Sequence, residues 1–231
     1  MISPLSQFKI TWHGHACFSI YNKALNLSVI FDPFKRETGR LMLPEEKGDI
    51  ILCTHDHFDH NNCDAVAKWD SAKFIQLIGD RNVKDVKIRG VEAFHDEVKG
   101  KKRGPNAIYV VNMGEGVFVH LGDLGHILTE EQVNKINVFG RPHIVFVPVG
   151  GVYTIDPETA VFVIKQLNPR IAIPMHYYCE KLNPKIFSKL HRLEDFLSEW
   201  DGPIEKFETN AIEVNIHELP SDTTVYVLKY P

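Results

Sequence analysis

Cysteine is scarce and lacks any knuckle or redox spacing: Cys17, Cys53, Cys63 and Cys179 include no CxxC pair in 231 residues. That excludes a disulfide scaffold and makes buried thiols the expected state of most of them. Residues 1–10 lack a basic start followed by an apolar stretch, and no apolar run approaches the roughly 20 residues that span a bilayer. The expectation is a cytoplasmic protein without membrane contact. A net charge of -4, with Lys and Arg scattered among Asp and Glu, offers no broad basic face of the kind duplex nucleic acid requires. No Pro/Gly/Ser-rich linker, low-complexity block or fixed repeat interrupts the chain, so a single domain over residues 1–231 is expected.

What is present is an ordinary globular composition, 44% apolar and 24% charged, with an unusual 12 histidines. β-rich stretches at 9–12, 16–21 and 27–31 predict an opening antiparallel meander. Residues 49–53 are almost continuously apolar, as in a strand buried on both faces, and 62–69 reads as helix. A second strand-rich section covers 83–94 and 107–121, with Gly114-Glu115-Gly116 as a hairpin turn. A short helix at 129–136 and a buried strand at 144–149, closed by Gly150-Gly151, follow. Asp156 and Pro157 then have N-cap and first-turn chemistry for a helix whose Ala160, Val161, Val163, Ile164 and Leu167 share one face. Residues 170–173 return as a strand that leads to His176. This order predicts an α+β fold of two sheets packed face to face with helices on the outer surfaces.

Chemistry concentrates in His55-Asp56-His57-Phe58-Asp59-His60, directly after the buried strand at 49–53. In an extended segment residues two apart point the same way, so His55 and His57 can grip one ion while Asp59 and His60, in the following turn, reach a second. Imidazole with carboxylate suits zinc first, with manganese or iron as alternatives.

The pattern His55, His57, Asp59, His60 resembles the HxHxDH signature of the metallo-β-lactamase superfamily. That resemblance implies an αββα sandwich of two mixed β-sheets with helices on both outer faces, holding two divalent metal ions. It further implies His95 as the third imidazole of one site, Asp123 as a carboxylate bridging both ions, and His176 as the last imidazole of the other. Trp12-His13-Gly14-His15-Ala16-Cys17-Phe18, Phe31-Asp32-Pro33-Phe34, Gly122-Asp123 and Pro174-Met175-His176-Tyr177 are similar to the branch containing L-ascorbate-6-phosphate lactonase and uncharacterised metal-dependent hydrolases. In that branch the Gly-His pair lies beside the metal pocket, which gives His15 a role in holding substrate or a ligand carboxylate. Asp32 and His120 are expected to brace ligands, and whether they or His15 touch metal stays open. The branch often continues Gly-Asp with Thr, whereas Leu124 stands here, so the substrate inference is weaker than the metal inference.

Taken together, the residues imply a hydrolase in which a water shared by two cations loses its proton near neutral pH and attacks a small, anionic lactone, ester or phosphodiester. Asp59, Asp123 and His15 are the expected catalytic groups, with His15 or Tyr177 assisting. Lys99, Lys101, Lys102 and Arg103 form a basic loop that is either solvated surface or a flap drawing in an anion. Three other readings compete. A diiron oxidoreductase on the same fold would want a carboxylate where His57 stands; a non-catalytic metal-binding protein is allowed by any fold; and a ribonuclease Z-like nuclease lacks a basic RNA-gripping extension here. The expected partner is a small-molecule substrate, and homo-oligomerisation is left open.

Overall fold

The computed structural model describes residues 3–231, so Met1 and Ile2 of the N-terminal stretch lie outside it. The first strands are β1 (Gln7–Gly14), β2 (Cys17–Asn22), β3 (Leu27–Phe31) and β4 (Gly48–Cys53), followed by a one-turn helix α1 (Cys63–Val66) and β5 (Ala67–Ile75). Next come β6 (Gly79–Val83), β7 (Val86–Phe94), β8 (Pro105–Met113), β9 (Gly116–His120), α2 (Glu130–Ile136), β10 (Ile144–Pro148), α3 (Pro157–Leu167) and β11 (Ile171–Met175). The chain closes with α4 (Pro184–Phe187), α5 (Leu193–Glu199), β12 (Ile204–Lys206), β13 (Ala211–Asn215) and β14 (Thr224–Val227).

These strands form two mixed sheets, one ordered β13-β1-β2-β3-β4-β5 and the other β12-β14-β11-β10-β9-β8-β7-β6. In the first, β1, β2 and β3 are an antiparallel meander, and β4 joins β3 in parallel. In the second, β9, β10, β11 and β14 run parallel, while β8 turns back antiparallel on β9 through the Gly114-Glu115 loop. Alternation in β1 sends Phe8, Ile10 and Trp12 inward, and fully buried Phe18, Phe31, Phe118 and Phe146 fill the space between the sheets. β4 is buried at every position, as a parallel strand covered on both faces must be.

The expected helix at 62–69 ends at Val66, and β5 begins at once. Its exposure shows no clean two-residue period, and Trp69 is fully exposed, so an edge strand hid there without an apolar stripe to announce it. The helices are few and unevenly shared. α3 packs on β10 and α5, and α2 reaches β7, all on the second sheet. The outer face of the first is closed by α1 with Phe34, Leu41 and Leu43 of the 32–47 loop. Cys53 and Cys63, two of the four cysteines of which most were expected to be buried thiols, are brought side by side because the loop after β4 folds back and lays the start of α1 against the strand end; Cys17 and Cys179 stand apart. Among the described residues no helix is long and apolar enough to cross a membrane.

Candidate metal centre

Six loops leave strand ends on one side of the two sheets, and each carries one or more of the predicted residues. After β4, the Thr54 amide and hydroxyl both donate to the Asp32 carboxylate at 2.7 Å, tying the ends of β3 and β4 together. With the hydroxyl proton committed to Asp32, His55 Nδ1–H donates to Thr54 Oγ1 at 3.0 Å. Asp32 also accepts from His60 Nδ1 at 2.9 Å. Both rings thereby keep a bare Nε2 aimed inward, the tautomer a metal needs. The Asp32 carboxylate, fully buried, thus faces His60 and Thr54.

His95 follows β7, and His176 follows β11 in a left-handed conformation, φ 55°. Gly150 lets the neighbouring loop approach the His176 carbonyl, since a Cβ there would lie 1.9 Å from that oxygen. Asp123 follows β9 through Gly122, whose φ of +56° and crowding by Asn106 and Thr54 leave no room for a side chain. Asn106 accepts the Asp123 amide at 3.0 Å and donates to the Leu121 carbonyl at 2.9 Å. His120 supports the same turn: its Nδ1 accepts from the Gly122 amide and its Nε2–H donates to the Ala16 carbonyl, so the ring braces the loop and does not face the centre.

These turns converge on Asp123. Its Oδ2 lies 3.1 Å from His95 Nε2, 3.2 Å from His176 Nε2, 3.3 Å from His60 Nε2 and 3.8 Å from His55 Nε2. Ligand-type atoms gather in three overlapping groups, His55 with His57 and His95, His55 with His60 and Asp123, and Asp59 with His60, His176 and His15. The predicted metal residues are thus brought together, including His95. His15, left-handed at φ 52°, places Nε2 3.1 Å from Asp59 Oδ2. His13 instead pairs with Ser19 on the far side of β1. Tyr177, expected to assist, is instead buried against Trp12 and Tyr230 and does not line the cleft.

The electrostatics follow from burial with crowding. Burial pushes His55 well below the usual imidazole range, and nearby His60 adds to this. Burial and His176 lower His15 to about 4 against the opposing hydrogen bond with Asp59. Burial alone would raise Asp123, but His176, His60 and His95 hold it well below the carboxylate range. The donor set fits divalent metal on a separate ground. Nε2 of His55, His60 and His176 and Oδ1 of Asp123 are buried and meet no hydrogen-bond partner among the described residues. Four orphaned acceptors within one cluster are costly unless a cation satisfies them.

The cluster opens on a cleft of about 340 Å³ whose walls include His57, Phe58, Tyr153 and Phe187. Tyr153, Phe187 and the bracing Thr54 were not singled out in the sequence. Thr54, next to His55, carried a local signal, whereas Tyr153 and Phe187 reach the cleft only through loop packing.

A sequence profile of the beta-lactamase superfamily domain matches residues 9–176. UPF0173 metal-dependent hydrolases of Thermoplasma acidophilum and Thermoplasma volcanium are 31% and 32% identical, covering 75% and 73% of this chain and 84% and 83% of theirs. A crystal structure of a metallo-β-lactamase superfamily protein from Thermotoga maritima is 32% identical with a TM-score of 0.73, over 96% of this chain and 100% of that one. With the signature histidines gathered at the strand tips of two mixed sheets and these likenesses running through most of its length, the chain belongs to the metallo-β-lactamase superfamily.

Proposed function

We propose that this protein is a binuclear metal-dependent hydrolase, zinc being the first candidate metal, acting on a small anionic lactone, ester or phosphodiester. The observation that carries the reading is Asp123, buried with its Oδ2 within 3.8 Å of four imidazole nitrogens that have few other partners. His55, His57 and His95 would hold one cation, Asp59, His60 and His176 the other, and Asp123 would serve both. When bound, such ions lower the pKa of a water from 15.7 to about 7 and polarise the scissile carbonyl or phosphoryl oxygen.

The side chains divide the remaining work. Asp123 places negative charge between the two imidazole groups, which offsets repulsion between like cations. His15 fixes the Asp59 carboxylate by donating from Nε2, and Asp59 lines the cleft, where it can take up the proton lost by the attacking water. His57 is exposed and faces substrate, and Phe58 and Phe187 exclude water from the reacting end. The hydrolase names of the relatives support the reaction class. A diiron oxidoreductase has less support, since an imidazole, His57, stands where that reading wants a carboxylate.

The test is metal analysis of the purified protein combined with a panel of lactones, esters and phosphodiesters. Two ions per chain are expected with turnover of at least one class, and Asp123→Ala should lose at least one ion and about a hundredfold or more in kcat/KM, about 2.7 kcal/mol of transition-state stabilisation. Full turnover by that variant would refute the proposal.

A further inference from the structure

Of the basic residues at 99–103, only Lys102 and Arg103 line the cleft. Lys102 is already neutralised by an ion pair with Glu97. Arg103 has no carboxylate partner among the described residues; its guanidinium instead lies over the Tyr153 ring, 5.5 Å from the centroid. That ring is itself held, because the Tyr153 hydroxyl donates to the Ile186 carbonyl at 2.9 Å. The backbone beneath Arg103 is equally fixed. Asp96, almost fully buried, accepts the amides of Val98, Gly100, Lys102 and Arg103 at 2.8–2.9 Å. An unpaired guanidinium stacked on an anchored ring and carried on a braced loop is preorganised for a planar, two-toothed grip on an oxyanion. Phe58, Ile186 and Phe187 give the cleft that Arg103 shares with His57, His95 and His176 an apolar wall.

We propose that Arg103 is the specificity-determining residue that binds a carboxylate or phosphate at the end of the substrate remote from the bond that breaks, with an apolar segment joining the two ends. This deepens the hydrolase reading and rests on it for the position of the reacting end. The substrate class is then an amphiphilic anion, and a neutral ester of the same shape is a poor ligand.

The experiment is calorimetric titration of the zinc-loaded, full-length protein with 3-phenylpropionate, its neutral amide and phenyl phosphate. None of these contains the lactone, carboxylic ester or phosphodiester bond assigned to the reaction. One of the two anions should bind at least about tenfold more tightly than the amide, and its identity tells carboxylate from phosphate. Arg103→Leu should cut that preference below about threefold, and Arg103→Lys should leave it intermediate, since charge persists without the fork. Lys101→Met, which removes the same charge from an exposed position on the same loop, should leave the preference intact. Equal urea midpoints would show that the variants remain folded. A preference that survives in both Arg103 variants, or is lost equally in Lys101→Met, or is absent from the wild type, overturns the inference. Because turnover is not the readout, failure of the hydrolase reading leaves this result interpretable, and intact hydrolysis with no charge preference overturns this inference alone.

Discussion

At the scale of single residues, the same imidazole is put to opposite uses by its hydrogen bonds. His55 and His60 have their Nδ1–H groups committed to Thr54 and Asp32, which frees Nε2 for the centre. His143, remote from that centre, accepts the Val117 amide on Nδ1 at 3.0 Å and serves the sheet as a neutral ring. Burial lowers its pKa, and Arg170, His217 and Arg141 push the same way. Because the folded value lies below the unfolded one, about 6.5, the unfolded chain takes up a proton first as pH falls. The contribution of His143 is therefore complete above that value and is lost as pH drops through it. In His143→Gln, urea midpoints measured at about pH 7.5 and about pH 5.5 should lie closer together than in the wild type. An unchanged difference between the two pH values would show that another group carries the dependence. The residue types of the candidate centre were legible because His and Asp at the ends of apolar runs are expensive there without a purpose. His15 was harder: its grip on Asp59 joins residues 44 positions apart, and the Tyr230 hydroxyl that accepts its amide comes from the other end of the chain.

At the scale of elements, strands deliver side chains and loops aim them. The turn after β7 shows how much one carboxylate can organise, since four amides of the 98–103 segment end on Asp96. These bonds hold the Asp96 pKa down to about 2 against the opposing effect of burial. Asp96→Asn keeps a single acceptor oxygen, so two of the four amides lose their partner. Hydrogen bonds to a charged group contribute about 1.5–3 kcal/mol each, so losing two costs about 3 kcal/mol at the low end and raises the local opening equilibrium roughly 150-fold. Amide hydrogen exchange should therefore quicken by about that factor across 98–103 and little in β10 or β11. Equal protection in the variant would mean that packing, not Asp96, holds the loop. The basic character of this loop was legible, but its bracing was not, because an Asp followed by Lys and Gly looks the same whether its carboxylate turns inward or outward. The meander, the hairpin and the α3 cap were readable for the opposite reason: Gly114-Glu115 and Asp156-Pro157 act on their own neighbours, as the Asp156 bond to the Thr159 amide at 2.9 Å shows. β5 and the strands after His176 carry no such local mark, whereas Asn183-Pro184 caps α4 as Asp156-Pro157 caps α3. β13, for example, is a strand chiefly because β1 offers it an edge, Gln7 pairing with Asn215.

At the scale of the whole molecule, the centre is where the two sheets are answerable to each other. The first sheet supplies His15 from the β1–β2 turn and His55, His57, Asp59 and His60 from the end of β4; the second supplies His95, Asp123 and His176. Elsewhere the sheets are joined by a continuous apolar core, but at this end the contact surface is polar, buried and short of hydrogen-bond partners. Apolar packing cannot compensate such atoms, so the strand tips should be the weakest part of the sheet-to-sheet contact until cations draw them together. A ligand that binds only the folded state stabilises it by RT ln(1 + [L]/Kd), about 4.1 kcal/mol at a thousandfold excess over Kd. Zinc at that excess should raise the urea midpoint with little change in slope, and a chelator should reverse the shift. In Asp123→Ala the shift should fall to less than half, because ligands from the two sheets no longer share a carboxylate between them. A zinc shift of the same size in wild type and Asp123→Ala would place the bound ions away from the junction, and the link between metal binding and the closing of the two sheets would fail with it.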